Sequence, residues 1–174
     1  MESSNYRFIA LPPKDLQDVR ERLASQIPVE AKPSLYVYDL PALVEEVRNA
    51  VVLEMADSMN KWAGAKHRAI TRFERPPHTP KFFQLKKGGT TIWTNKGHTG
   101  LMVPLFKGEV KISVRARDSD TSHSIFWTCE NALQLDEETG VRPLEEDLVF
   151  HYNNFLFTEA TQGIDDRIKM EESI

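Results

Sequence analysis

The sequence holds one cysteine, Cys129, so it can form no internal disulfide and no multi-cysteine zinc site. No apolar run approaches the roughly 20 residues that a membrane-spanning helix needs. The first residues, Met1-Glu2-Ser3-Ser4, carry neither the basic nor the apolar region of a secretory signal, and Glu2 leaves no glycine to myristoylate. The last four, Glu171-Glu172-Ser173-Ile174, offer no prenylation cysteine, and no Asn-x-Ser/Thr acceptor occurs. These absences lead to the expectation of an intracellular protein whose membrane contacts, if any, are peripheral.

Catalytic patterns are missing as well. His67, His78, His98, His123 and His151 are scattered, without the close spacing of a metal pair. Lys87-Gly88-Gly89-Thr90-Thr91 has glycines and hydroxyls but not phosphate-loop spacing, and it joins two predicted strands where such a loop opens a helix. Cys129 lies near Phe126, Trp127 and Leu133, which reads as a structural thiol. The expectation is therefore no catalytic residues, no metal, no cofactor and no enzyme.

What the chain does have is a core and a steep charge gradient. Hydrophobic residues make up 40% of its 174 residues, enough to exclude wholesale disorder. The net charge of −4 conceals a balance of −4 over residues 1–60, +11 over 61–117 and −11 over 118–174. Segregation on that scale points to an anionic partner, to self-association, or to neutralisation of one part by the other within the fold.

Periodicity places a helix over 13–26, with Leu16, Val19 and Leu23 as its apolar stripe. A short strand over 34–38 leads into a long helix from Leu40 to Ala63, N-capped by Asp39 and carrying Leu43, Val44, Val47, Val51, Met55, Met59 and Trp62 on one face. Gly64 supplies its stop. Period-two runs follow at 69–74, 81–85, 90–94, 99–106 and 109–117, separated by glycine-containing junctions typical of hairpins. In the last of these Val110, Ile112, Val114 and Ala116 alternate with Lys111, Ser113, Arg115 and Arg117, so the cations share one face. One more strand is predicted over 124–129. After an acidic loop, Pro143 opens a second amphipathic helix with Leu144, Leu148, Tyr152 and Phe155 as its stripe, and Glu145, Glu146 and Asp147 in its first turn. The predicted fold is α+β: an antiparallel β-meander sheet packed by one long and one or two shorter helices. Residues 1–163 make one globular domain and 164–174 a mobile acidic tail.

A polyanion-binding surface is the functional candidate with most support. Lys81, Lys86, Lys87, Lys96 and Lys107 fall at or beside predicted strand ends and turns, and Lys111, Arg115 and Arg117 on the outward face of one strand. Such clusters attract phosphates and anionic headgroups. Phe82, Phe83 and Trp93 interleave with them, either as stacking aromatics or as core residues of the sheet. No RNA-reading motif is present.

The layout resembles that of rhabdovirus matrix proteins, of the plant cytorhabdovirus branch in length. The likeness rests on Leu105-Phe106-Lys107-Gly108-Glu109-Val110-Lys111-Ile112-Ser113, an acidic turn, and Ile125-Phe126-Trp127. It implies a structural protein that self-associates and links viral nucleocapsid or RNA to anionic membrane, in the host cytoplasm and the virion. Two features depart from the family pattern: there is no basic N-terminal tail, and Pro76-Pro77-His78-Thr79-Pro80 lacks the tyrosine of a budding motif. The alternative is an intracellular protein–protein adaptor whose acidic and basic halves neutralise each other.

Overall fold

A computed structural model describes residues 5–13, 15–73 and 79–159. Twelve strands form among them: β1 (Tyr6–Ala10), β2 (Val29–Lys32), β3 (Leu35–Tyr38), β4 (Arg68–Ile70), β5 (Lys81–Leu85), β6 (Ile92–Trp93), β7 (His98–Pro104), β8 (Glu109–Ala116), β9 (Ser122–Thr128), β10 (Asn131–Leu135), β11 (Thr139–Pro143) and β12 (Leu148–Glu159). Strands β5, β7, β10 and β12 lie in a larger sheet of order β1-β10-β7-β12-β5-β3-β2, with β4 paired to the far end of β12. Strands β6, β8, β9 and β11 lie in a smaller sheet of order β6-β11-β8-β9. All pairings are antiparallel. Eight consecutive strands shared between two facing four-strand units make a jelly roll.

The expected α+β composition with antiparallel strands holds, but the meander does not. Among the described residues only β2–β3 and β8–β9 are both consecutive in sequence and paired in space. The chain instead crosses between sheets at nearly every turn, which closes a core between two faces rather than laying strands side by side. The expected helix after Pro143 is also corrected. Those residues end β11, turn, and enter the 12-residue strand β12. Leu148 and Phe150 face the space between the sheets, while Phe155 faces the helices. The spacing that read as a helical stripe belongs to a strand with apolar groups on both faces. The acidic tail at 164–174 lies outside the described residues.

The helices cover the outer face of the larger sheet. Helix α1 (Gln17–Ala24) is shorter than expected; its first backbone N–H donates to the Asp15 carboxylate at 2.8 Å, and Val19 and Leu23 are buried. The long helix forms where expected but in pieces: α2 (Pro41–Val47), a π-helical stretch at Arg48–Val52, a 3₁₀ turn at Leu53–Met55, and α3 (Ala56–Ala65). Its inward residues Leu43, Val47, Val51, Val52, Met55 and Met59 pack with Phe82, Leu101, Val103 and Phe155 of the sheet. On the other side of that sheet Leu85, Met102, Leu133, Leu135, Leu148 and Phe150 meet Val110, Ile112, Val114, Trp127 and Val141 of the smaller one. The larger sheet is thus buried on both faces, and the smaller on one. Its uncovered outer face is what positions the functional candidate.

One polar residue sits deep in the helix-side core. His151 is fully buried, its ring 5.0 Å from that of Phe82. Its Nδ1 lies 2.9 Å from Asn153 Nδ2, and its Nε2 has no hydrogen-bond partner. Burial pushes its pKa down to about 3, so it folds neutral. Below its ordinary value of 6.5 the unfolded chain takes up a proton that the native state refuses. Stability should therefore fall by about 1.4 kcal/mol per pH unit from this group as pH drops from 6.5 towards 3. Urea unfolding of the wild type and of His151→Gln at pH 7 and pH 5 checks this: the wild type should lose roughly 2 kcal/mol more than the variant over that interval.

Candidate functional site

The outer face of the smaller sheet is built by register. Trp93 of β6 stands opposite Gly140 of β11, Gly140 opposite Arg115 of β8, and Arg115 opposite Ser122 of β9. The next row runs Arg142, Ser113 and Ser124, and Lys111 pairs with Phe126 beyond it. Residues opposite one another across a ladder project to the same side, so these side chains share one surface. Phe126 there is 58% exposed. As the alternation in β8 predicts, Val110, Ile112 and Val114 point inward and are buried.

Gly140 is at its centre for a steric reason. A Cβ there would come within 2.6 Å of Thr91 and 2.8 Å of the Trp93 ring, so only glycine lets the indole lie against β11. The guanidinium of Arg115 then sits 5.2 Å, and that of Arg117 4.9 Å, from the Trp93 ring centroid. Both distances are in the range of cation–π attraction. Arg142 donates to the Gly88 carbonyl at 3.2 Å. Among the described residues no carboxylate lies within 4.0 Å of any of these three arginines. A recess of about 200 Å³ opens between them, lined by Thr91, Ser113, Arg115, Asp120, Ser122, Gly140 and Arg142.

The other cations are distributed differently. Lys66 and Arg68 meet Asp136, and Arg68 also reaches Glu137 and Glu159, so part of the basic segment is neutralised by the acidic one within a single copy. Lys86 pairs with Asp147 at 3.2 Å, and the backbone N–H of Lys87 donates to the same carboxylate at 3.0 Å. Burial works against the Asp147 charge, but these donors outweigh it and lower its pKa. Lys111 has a weaker partner in Glu145 at 3.5 Å. Lys81 is exposed at the start of β5. Lys96 precedes β7 and Lys107 follows it, which puts a seven-residue strand between them, about 23 Å at 3.3 Å per residue. The eight sequence candidates therefore do not form one patch; the fold brings Lys111, Arg115 and Arg117 together.

Of the three interleaved aromatics, Phe82 is fully buried, Phe83 half-buried, and Trp93 lies on the outer face. Arg142, Gly140, Asp120 and the hydroxyls of Thr91, Ser113 and Ser122 were not legible as site residues. Arg142 stands in an otherwise acidic stretch, and only the β11–β8 register brings it beside Ser113. Cys129 is half-buried rather than fully enclosed.

The sequence matches no described protein family and no curated protein. Solved structures do match in fold. HygX from Streptomyces hygroscopicus with nickel and 2-oxoglutarate bound aligns with a TM-score of 0.51 at 12% identity, over 87% of this chain and 82% of that one. The same protein with nickel, 2-oxoglutarate and hygromycin B bound aligns with a TM-score of 0.54 at 11% identity, over the same shares. At such identity the likeness concerns the fold alone, a jelly roll.

This overturns the resemblance to rhabdovirus matrix proteins. The short turn-and-strand match at 105–113 is simply a β7–β8 connection within the roll. The non-enzymatic matrix-type structural role falls with it, and the adaptor alternative gains no support. The expectation that the chain is not an enzyme is corrected too. It rested on absent motifs, and the fold is shared with a protein that holds nickel and 2-oxoglutarate.

The interior of the roll, among the described residues, is not furnished for such a metal. A divalent ion of this kind is held by converging imidazole, thiolate or carboxylate groups. Among the described residues no group of three or more His, Cys, Asp or Glu is placed to hold one. Thr94 and Thr139 are buried and bonded to each other, with the Thr139 N–H donating to Thr94 Oγ1 at 2.8 Å. Thr94 and the Tyr152 ring close over Gly100, where a Cβ would meet them at 2.7 and 3.1 Å. These residues do not fit a resident metal ion. No helix of the described residues is long and apolar enough to cross a membrane.

Proposed function

We propose that this jelly-roll protein recognises an anionic ligand on the outer face of its smaller sheet. Arg115, Arg117 and Arg142 supply the charge, Trp93 orders two of the guanidiniums, and Lys111 stands at the edge of the surface. The observation that carries the reading is the set of three arginines on one face with no carboxylate within 4.0 Å among the described residues. Like charges held together with no carboxylate in ion-pair contact raise the local potential, and a bound oxyanion relieves it. Guanidiniums suit this because their planar donor fork matches carboxylate and phosphate oxygens.

Calorimetric titration of the full chain with inorganic phosphate and with citrate, at low and high salt, tests the proposal. Binding should weaken as salt rises, and the double variant Arg115→Ala/Arg117→Ala should weaken it by about tenfold or more, the scale of one charge-assisted hydrogen bond. Lys107→Ala, at an end of β7, should leave it unchanged. No binding of either anion, or binding indifferent to the arginine substitutions, would refute the reading.

A further inference from the structure

Resting on the anion-binding reading, we infer that the recess over Gly140 selects a small polyhydroxylated oxyanion, of the sugar phosphate or acidic sugar class, over a bare oxyanion. The inference comes from residues in the recess that a bare anion does not need. Thr91, Ser113 and Ser122 line it, and none of their hydroxyls makes a hydrogen bond within the described protein. Each is a free donor and acceptor. Asp120 also lines the recess, on the β8–β9 turn, and forms no ion pair with the arginines beside it.

That carboxylate decides the ligand class. A lone sulfate would have only acceptors to offer it; inorganic phosphate keeps a P–OH donor at neutral pH, but on the same small charged centre that the carboxylate repels. A ligand that carries hydroxyl donors next to its oxyanion satisfies both, with the oxyanion on Arg115 and Arg142 and a ligand hydroxyl donating to Asp120. The size agrees. The recess, of about 200 Å³, has room for a small molecule. The floor is closed by β11, because Gly140 lets Trp93 and Thr91 lie against it, so the ligand is received from the solvent side.

The test compares four probes on the full chain by calorimetry: glucose 6-phosphate, glucuronate, inorganic phosphate and glucose. Glucose 6-phosphate, glucuronate or both should bind at least about tenfold tighter than inorganic phosphate and than glucose. The phosphate and carboxylate arms separate the two sources of the oxyanion. Asp120→Asn, an exposed substitution in a turn, should weaken the hydroxylated anions and strengthen inorganic phosphate, so that the preference shrinks by about tenfold. Equal affinity for inorganic phosphate and the hydroxylated anions, or a preference unmoved by Asp120→Asn, would overturn this inference and leave the anion-binding reading standing. Failure of all three anions to bind would overturn both.

Discussion

Trp127→Ala should cost about 3–5 kcal/mol of unfolding free energy, the range for removing a large buried aromatic. Trp127 is fully buried between the two sheets, packed edge-on against Phe106 at 5.1 Å and in one cluster with Met102, Leu133 and Phe150. Its Nε1–H donates to the Asn131 carbonyl at 2.6 Å, which ties the smaller sheet's edge strand β9 to the start of β10 in the larger sheet. Alanine removes the ring, leaves a cavity that two hydrogen-bonded sheets cannot collapse into, and strips a partner from that carbonyl. Against a typical total of about 5–15 kcal/mol this is a large share, so the variant should unfold at much lower denaturant. The neighbouring Phe126→Ala is the control. Phe126 is 58% exposed, so its loss should move stability by roughly 0.5 kcal/mol or less. Urea titrations followed by circular dichroism measure both. Equal effects would contradict the inward placement of Trp127 and the outward placement of Phe126.

Asp136→Ala should destabilise by roughly 2–3 kcal/mol. The Asp136 carboxylate accepts from Lys66 Nζ at 2.8 Å, from Arg68 Nη1, and from the Glu137 backbone N–H at 2.8 Å. Its side chain is 19% exposed, as is that of Arg68, with Lys66 at 22%. Removing it leaves two largely enclosed cations with their main acceptor gone, and the β10–β11 turn without a local hydrogen bond. A fully buried pair broken on one side costs about 3–5 kcal/mol, and the water that reaches this cluster, together with Glu137 and Glu159 still beside Arg68, argues for a smaller loss. The Lys86–Asp147 pair makes the contrast. Its side chains are 43% and 36% exposed, and Lys86→Ala should cost less than about 1 kcal/mol. High salt should weaken the exposed Lys86–Asp147 pair more than the Asp136 cluster, whose side chains are only about one-fifth exposed.

These two sites also show what the sequence could and could not reveal. Strand β8 was legible because the smaller sheet has one wet face: its inward valines and isoleucine alternate with outward cations. The larger sheet is dry on both sides; β7, expected as a strand over 99–106, forms at His98–Pro104 and is buried from Thr99 to Pro104 with no wet face. β12 imitated a helix, since Leu148 and Phe155 serve opposite cores yet fall near helical spacing. Strands β10 and β11 hid in a stretch whose acidic residues suggested a loop, although Asp136 and Glu137 sit in the turn between them. The long helix was legible because its apolar face survives the passage through π and 3₁₀ geometry, with Val51, Val52 and Met55 all buried.

The site was legible in part for the same reasons. Arg115 and Arg117 could be placed on one face from their spacing alone. Trp93 could be noticed but not oriented, because its position depends on Gly140, 47 residues later, lacking a side chain. The charge segregation was real, and the fold divides it. Lys66, Arg68 and Lys86 are neutralised by the acidic third, while Arg115, Arg117 and Arg142 are left to the outer face.

Nuclear magnetic resonance mapping with glucose 6-phosphate locates the ligand most directly. The chain has three tryptophans, at 62, 93 and 127, so the indole N–H of Trp93 can be followed against two others. Recognition on the outer face requires shifts at Trp93 and at the backbone amides of Thr91, Ser113, Arg115, Ser122, Gly140 and Arg142, with Trp62 and Trp127 unmoved. Shifts confined to the interior, at Thr94, Thr139, Tyr152 and Asn154, or no shifts at saturating ligand, would contradict it.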